Sequence, residues 1–376
     1  MSTQISARTS APFRYDIVGS FLRPEHLKQA RLDFSQGNIT EEQLTAIEDD
    51  SIRDLVEKEI KAGLLSVTDG EFRRSYWHLD FMWGFEGVEH IEMEHGYFFQ
   101  GEETRADSAR VRGKIRFSSH PFIKHYKFLH NAVNGRVLSR QTIPAPAQFF
   151  AELVRGENED FLNAVYPDRE ELYKDLTAAY RDFILALYDV GCRNLQLDDC
   201  TWGMLCDKGF WKNMAGDSYS PESLQKLYLG LNNLAIENLP DDLTVNTHVC
   251  RGNYHSTWAT SGGYEPVADV LFGNENVQAY YLEFDDDRSG DFEPLSKVSN
   301  DKLVVLGLIT SKYPKLEDEE QIIARIQEAT QYVPLDRLCL SPQCGFASTE
   351  EGNIMTEQEQ WDKISLVKRI AEKVWG

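Results

Sequence analysis

The sequence predicts a (β/α)₈ barrel. Three observations lead there. Eight short β-rich runs punctuate the chain, most of them apolar on both faces, as strands buried in a parallel sheet are. From the fifth run onward they recur about every 25–35 residues with helical sequence between them. The Gly-rich phosphate turn of a doubly wound open sheet is missing after the first run, where VGSF is a poor match to GxGxxG.

In order, the runs are DIVGSF (16–21), LSVTDGE (65–71), RVLSRQTI (136–143), NLQLDD (194–199), LTVNTHVC (243–250), AYYLEF (279–284), LVVLGLI (303–309) and LCLSPQC (338–344). Helix signals separate them. Thr40 to Gln43 reads as a capping box before an amphipathic run with Leu44, Ile47, Leu55 and Ile60, closed by Gly63. Asp168 to Glu171 opens a helix that stops near Gly191, Ser220-Pro221 starts another, and Thr356 to Glu359 caps the last. Residues at about 85–120 break the rhythm: VEHIEMEHGYFF and ARVRGKIRF alternate like two strands, predicting an antiparallel β excursion or lid over one barrel mouth. His90, Glu92 and Glu94 within it read as a solvated face. Residues 1–376 are expected to form a single TIM-barrel catalytic domain.

Composition narrows the partners. Acidic residues outnumber basic ones 61 to 39, a formal charge of −22, which disfavours nucleic acid and anionic membrane surfaces. No apolar run is long enough to cross a bilayer. Six cysteines in a chain of this length, behind an N-terminus without a secretion signal, suggest a reducing cytoplasm rather than a disulfide framework.

Barrel enzymes place their chemistry at the C-terminal ends of strands. Ser20 ends the first run, Asp69 and Glu71 the second, Asp198 and Asp199 the fourth, His248 and Cys250 the fifth, Glu283 the sixth and Cys344 the eighth. The strand period of two puts His248 and Cys250 on one side of the sheet, and Glu283 and Cys344 add ligand types suited to tetrahedral zinc. Each has a plainer reading: Cys250 as a small buried hydrophobe, His248 as a hydrogen-bonded core residue, Glu283 as one more acid before DDDR. Cys192, Cys200, Cys206 and Cys339 read as packing residues. Arg73, Arg74, Trp77, Trp202, Arg251 and Tyr254 lie just beyond the strand ends, where aromatics more often pack than bind.

HVC, the glutamate ending the next strand and SPQCG together resemble the zinc site of the cobalamin-independent methionine synthase family, whose pattern is T-H-x-C, a glutamate, then N-P-D-C-G. VGSF resembles its I-G-S-F, DGE its H-G-E and LQLDD its I-Q-I-D-E, in the same order along almost the whole chain. The details LQLDDCTWG and HVCRGNYHSTWATSGGY look closer to the short, single-barrel relatives. The resemblance implies that His248, Cys250, Glu283 and Cys344 bind Zn²⁺, and that Gly19, Ser20, Glu71 and Asp198 hold the amino-acid end of homocysteine while its thiol takes a methyl group to form methionine. Two departures leave the donor open between methyltetrahydrofolate and another compound. TIPAPAQFF lacks the family's folate-contacting tryptophan, and GLITSK offers Lys312 where the family has a histidine that protonates the leaving group. Alkylation of another small thiol by epoxide opening, or a non-catalytic amino-acid- or metal-binding barrel, are the competing readings.

Overall fold

The computed structural model describes residues 8–210 and 219–376. Its centre is a parallel sheet of six strands in sequential order: β7 (Gln141–Pro144), β8 (Asn194–Asp198), β9 (Thr244–Val249), β10 (Ala279–Glu283), β11 (Leu303–Ile309) and β12 (Leu338–Pro342). A shorter parallel pair joins β1 (Ser66–Val67) to β6 (Leu138–Ser139), and Arg140 alone separates β6 from β7. The first predicted run closes the circle. Tyr15 bridges Leu340 of β12 in parallel, and the Phe21 N–H donates to the Gly70 carbonyl beyond β1. All eight predicted runs are staves of a barrel.

The first two staves are less regular than the sequence suggests. Residues 16–21 form an extended segment tied to the barrel by single bonds. The 65–71 run keeps only two ladder residues because Gly70 and Glu71 both turn left-handed, with φ of 66° and 61°. The helix signals hold. Thr40 and Gln43 form a reciprocal capping box for Glu41–Ala62, and Gly63 ends that helix at φ 91°. Asp168 caps Arg169–Asp189, Ser220 caps Pro221–Ala235, and Thr356 with Glu359 caps Glu357–Trp375. Among the described residues no helix is long and apolar enough to cross a membrane.

The excursion is an antiparallel ribbon of β2 (Glu86–Glu92) and β5 (Asp107–Arg116), with a small hairpin, β3 (Phe98–Phe99) and β4 (Glu102–Glu103), at its tip. His90, Glu92 and Glu94 are exposed, as their alternation predicts. The tip reaches across the barrel mouth. There the Gln100 N–H donates to the Trp258 carbonyl, His255 pairs with Glu102, and Phe99 packs on Tyr254 with ring centroids 5.2 Å apart.

The barrel interior is partly polar. Arg140 pairs with Asp16 at 2.7 Å, both side chains essentially sealed from water, and the Tyr281 hydroxyl donates to the same carboxylate. Tyr281, Val305 and Cys339 form a separate small apolar cluster. Burial pushes the Cys192 and Cys339 thiols up to about 11 and about 12, so both behave as the packing residues their positions suggest.

Candidate metal and substrate site

Parallel pairing brings the strand ends together. Register aligns Asp198 with His248 across β8 and β9, and His248 with Tyr281 across β9 and β10. The donor atoms of His248, Cys250 and Cys344 all lie within 4.8 Å of one another, and all three residues are buried. His248 Nδ1 lies 3.3 Å from the Tyr281 carbonyl, an acceptor only, so the ring carries its proton on Nδ1. Nε2 is buried and without a hydrogen-bond partner. An orphaned imidazole nitrogen beside two thiols is the donor set a zinc ion takes, with a backbone carbonyl orienting the ring from behind. The Cys200 sulfur 3.3 Å away and the adjoining Cys344 and His248 hold the pKa of the Cys250 thiol well below its ordinary value.

Glu283 lies outside this trio. Its Oε2 accepts the Arg251 backbone N–H at 2.8 Å, and its Oε1 lies 3.2 Å from the Arg288 guanidinium and 3.8 Å from Lys312 Nζ. Burial pushes its carboxyl up to about 7. Lys312 is sealed behind it and does not line the cavity; burial alone would lower its ammonium, but Glu283 and Asp285 outweigh that and raise it. Lys312 therefore stands as the counter-ion of Glu283. Cys200 also adjoins the trio, its sulfur 3.3 Å from that of Cys250. LQLDDC puts Cys200 two residues after Asp198, the same spacing that singles out His248 and Cys250.

Ser20, Glu71 and Asp198, three of the four residues expected to hold an amino acid, line a cavity of about 980 Å³ together with the trio. Glu71 Oε1 accepts from the Thr142 hydroxyl at 2.7 Å and lies 3.3 Å from Arg74, while Oε2 is buried without a partner. Its left-handed backbone is the kind of strain that collects at binding sites. Asp198 accepts from Gln196 Nε2 at 2.8 Å; burial chiefly, opposed by His248 and reinforced by Glu71, pushes its carboxyl up to about 7. Ser20 Oγ accepts the Ala347 N–H at 3.3 Å, which leaves its hydroxyl hydrogen free to donate. Gly345 must be glycine here, since a Cβ would stand 2.0 Å from Ser20 Oγ. Gly19 lies behind this wall, its carbonyl taken by Thr68.

The far end of the cavity was not legible as a site. Its roof is Tyr97, Phe98 and Phe99 of the excursion, facing Trp77, His78, Gln148 and Glu152. The Tyr97 hydroxyl donates to Glu152 at 2.7 Å, so its oxygen accepts from His78 Nε2 at 2.9 Å. Burial, helped by Arg155, holds His78 neutral by lowering it to about 3, which leaves Nδ1 as a second unpartnered acceptor. Gln148 Oε1 is a third. Of the other residues beyond the strand ends, Trp77, Arg251 and Tyr254 border the cavity. Arg251 spends its guanidinium on the Gly262 carbonyl, Arg73 pairs with Glu48 and Asp49, Arg74 braces Glu71, and Trp202 is buried.

Residues 159–363 match the family model described as the cobalamin-independent synthase catalytic domain. The chain belongs to that family. It is 48% identical to the uncharacterized protein YxjH of Bacillus subtilis (strain 168), over 97% of this chain and 95% of the relative. It is 25% identical to a methionine synthase of Pyrococcus horikoshii over 88% and 85% of the two chains. A Listeria monocytogenes crystal structure, described as a candidate vitamin-B12-independent methionine synthase, superposes with a TM-score of 0.77 at 40% identity, covering 98% of this chain and all of that one. The fold also matches a B12-independent methionine synthase from Shewanella sp. W3-18-1, in complex with selenomethionine, at TM-score 0.71 and 18% identity over 96% and 97% of the chains. The family likeness goes with a methionine synthase-like barrel whose buried His248–Cys250–Cys344 cluster is suited to hold a metal ion.

Proposed function

We propose that this protein is a zinc-dependent S-methyltransferase, built as one barrel unit, that methylates the thiol of homocysteine to give methionine. The observation that carries the reading is the orphaned His248 Nε2 beside Cys250 and Cys344, in the same cavity as Glu71 and Asp198. His248, Cys250 and Cys344 would hold the metal. Zinc bound there supplies the Lewis acidity that keeps a substrate thiol deprotonated near neutral pH.

The remaining roles belong to the chain. Glu71 and Asp198 each raise their own carboxyl pKa by burial, and an incoming ammonium relieves that cost by pairing with them. Ser20 offers its hydroxyl to the substrate carboxylate. The excursion roofs the cavity and keeps water from the reacting sulfur. The methyl donor, methyltetrahydrofolate or another compound, enters the far end, where His78 Nδ1 and Gln148 Oε1 await N–H or O–H groups between aromatic walls. A thiol lacking an amino group would leave Glu71 and Asp198 unpaired, which favours homocysteine over the epoxide-opening alternative.

The test is methionine formation by the metal-loaded protein from homocysteine against a panel of methyl donors, beside a control thiol of similar size without the amino group. Turnover of homocysteine alone supports the reading. Equal turnover of both thiols, or binding without turnover under every donor, overturns it.

A further inference from the structure

Five carboxyl side chains border the cavity: Glu71, Glu94, Glu152, Glu157 and Asp198. Among the described residues, Arg155 and Arg251 are the arginines that border it, and no lysine does. Both arginines are engaged. Arg155 lies 4.2 Å from the centre of the Tyr97 ring and pairs with Glu152 at 3.1 Å. Arg251 lies over Tyr264 at 4.1 Å and gives two nitrogens to the Gly262 carbonyl. An anionic methyl donor would have to break one of these ties.

Two buried groups point to a ligand independently of that charge balance. His78 Nδ1 and Gln148 Oε1 are acceptors without a partner, on residues that are each 4% exposed and border the cavity. They suit a molecule that brings N–H or O–H groups. Aromatic rings stand around them. Trp77 lies 4.5 Å from His78, and Phe99 lies 5.2 Å from Tyr254 across the mouth. The negative faces of such rings attract methylated cations.

Proton supply points the same way. A donor whose leaving group departs as a nitrogen or oxygen anion needs a proton in the transition state. His78 gives its Nε2 hydrogen to Tyr97, and Tyr97 gives its own to Glu152. Burial holds His78 neutral. Lys312 does not border the cavity, and Glu71 and Asp198 are committed to the substrate ammonium.

We propose that the methyl donor is an onium cation, a methylsulfonium or quaternary methylammonium compound, bound in the far end of the cavity. The inference rests on the methyltransferase reading above. The step balances without an acid. The homocysteine thiolate forms a bond to the methyl carbon as the bond from that carbon to the onium sulfur or nitrogen breaks. The electron pair stays on the leaving atom, which departs as a neutral thioether or tertiary amine. One negative and one positive charge cancel, and no proton, oxidant or reductant is needed.

The metal-loaded full-length protein is given homocysteine with S-methylmethionine, glycine betaine, methyltetrahydrofolate, its triglutamate or methylcobalamin, and methionine formation is followed. The expected result is turnover of at least one onium donor with kcat/KM about tenfold or more above the folates and methylcobalamin. Phe99→Leu keeps the apolar bulk but removes the ring face. It should raise the KM for that onium donor by roughly 2–10-fold and leave that of homocysteine unchanged, with Phe99→Tyr restoring it. A folate or methylcobalamin turned over as well as either onium donor, or better, overturns this inference and leaves the parent reading standing. That comparison decides even if the Phe99 variants fail to fold. No methionine from any donor overturns both.

Discussion

Asp198 and His248 are register partners at the ends of adjacent parallel strands, so the candidate ammonium acceptor stands beside the candidate metal donor. A substrate bridging them would present its amino group and its sulfur to neighbouring staves. Asp198→Asn should raise the KM for homocysteine by roughly 10–100-fold near pH 8, the loss of a charge-assisted hydrogen bond of about 1.5–3 kcal/mol, with metal content unchanged. Because the Asp198 carboxyl sits at about 7 and the carboxylate is the binding form, the wild-type KM should climb as pH falls below 7. Steady-state kinetics from pH 6 to 8.5 check both outcomes; a flat wild-type profile together with an unaltered variant would remove Asp198 from the site.

Metal content follows the trio. Elemental analysis should find about one zinc per chain. His248→Ala and Cys344→Ser should each lose most of it while circular dichroism stays barrel-like, since both side chains sit at a strand end rather than in the apolar core. Full zinc retention in either variant would contradict the assignment.

Gln148 separates binding from folding. Its Oε1 has no protein partner, so Gln148→Leu removes an unsatisfied acceptor and should leave thermal stability unchanged or slightly raised. If the far end of the cavity holds the methyl donor, the same variant should raise the donor KM by up to about tenfold, the worth of one hydrogen bond, and leave that of homocysteine alone. A stabilised variant with unaltered donor kinetics would show the amide to be only a packing residue.

Glu275 gives a stability prediction with a definite sign. It is buried beside Asn232 and Asp199, and burial pushes its carboxyl up to about 8. Between pH 4.5 and 8 the unfolded chain has released this proton while the folded chain keeps it. Rising pH therefore costs about 1.4 kcal/mol per unit through that window, levelling off above it. Glu275→Gln should gain stability relative to wild type as pH rises from about 4.5 to 8, measured by urea denaturation across that range.

The Arg140–Asp16 pair closes the barrel between its first and third staves. Asp16→Ala leaves a buried guanidinium with only carbonyl and hydroxyl partners, and should cost about 3–5 kcal/mol. Chemical denaturation measures it; a loss under about 1 kcal/mol would show that water reaches Arg140.

Glu283 and Cys200 show where reading the residues one by one reaches its limit. Both end or follow a predicted strand, and both carry a ligand-type side chain. The sequence singles out Glu283 because it ends a run, and sets Cys200 aside as packing. In the fold, Glu283 is paired with Arg288 and Lys312 at its strand end, and the Cys200 sulfur lies 3.3 Å from Cys250, partners that neither local run reveals. The roof escaped for a similar reason. Alternation in 85–120 revealed a ribbon, but the Tyr97–Glu152 and His78–Tyr97 bonds join residues as far as 55 positions apart.

The sequence by itself determined the eight staves, the capped helices, the antiparallel excursion and the kinds of side chain presented at one barrel mouth. Those follow from local periodicity, capping and turn chemistry, which neighbouring residues settle among themselves. Only the tertiary structure decided which of those side chains converge, which are claimed by counter-ions and which are left without a partner. Those outcomes depend on strand register and on buried partners drawn from distant parts of the chain.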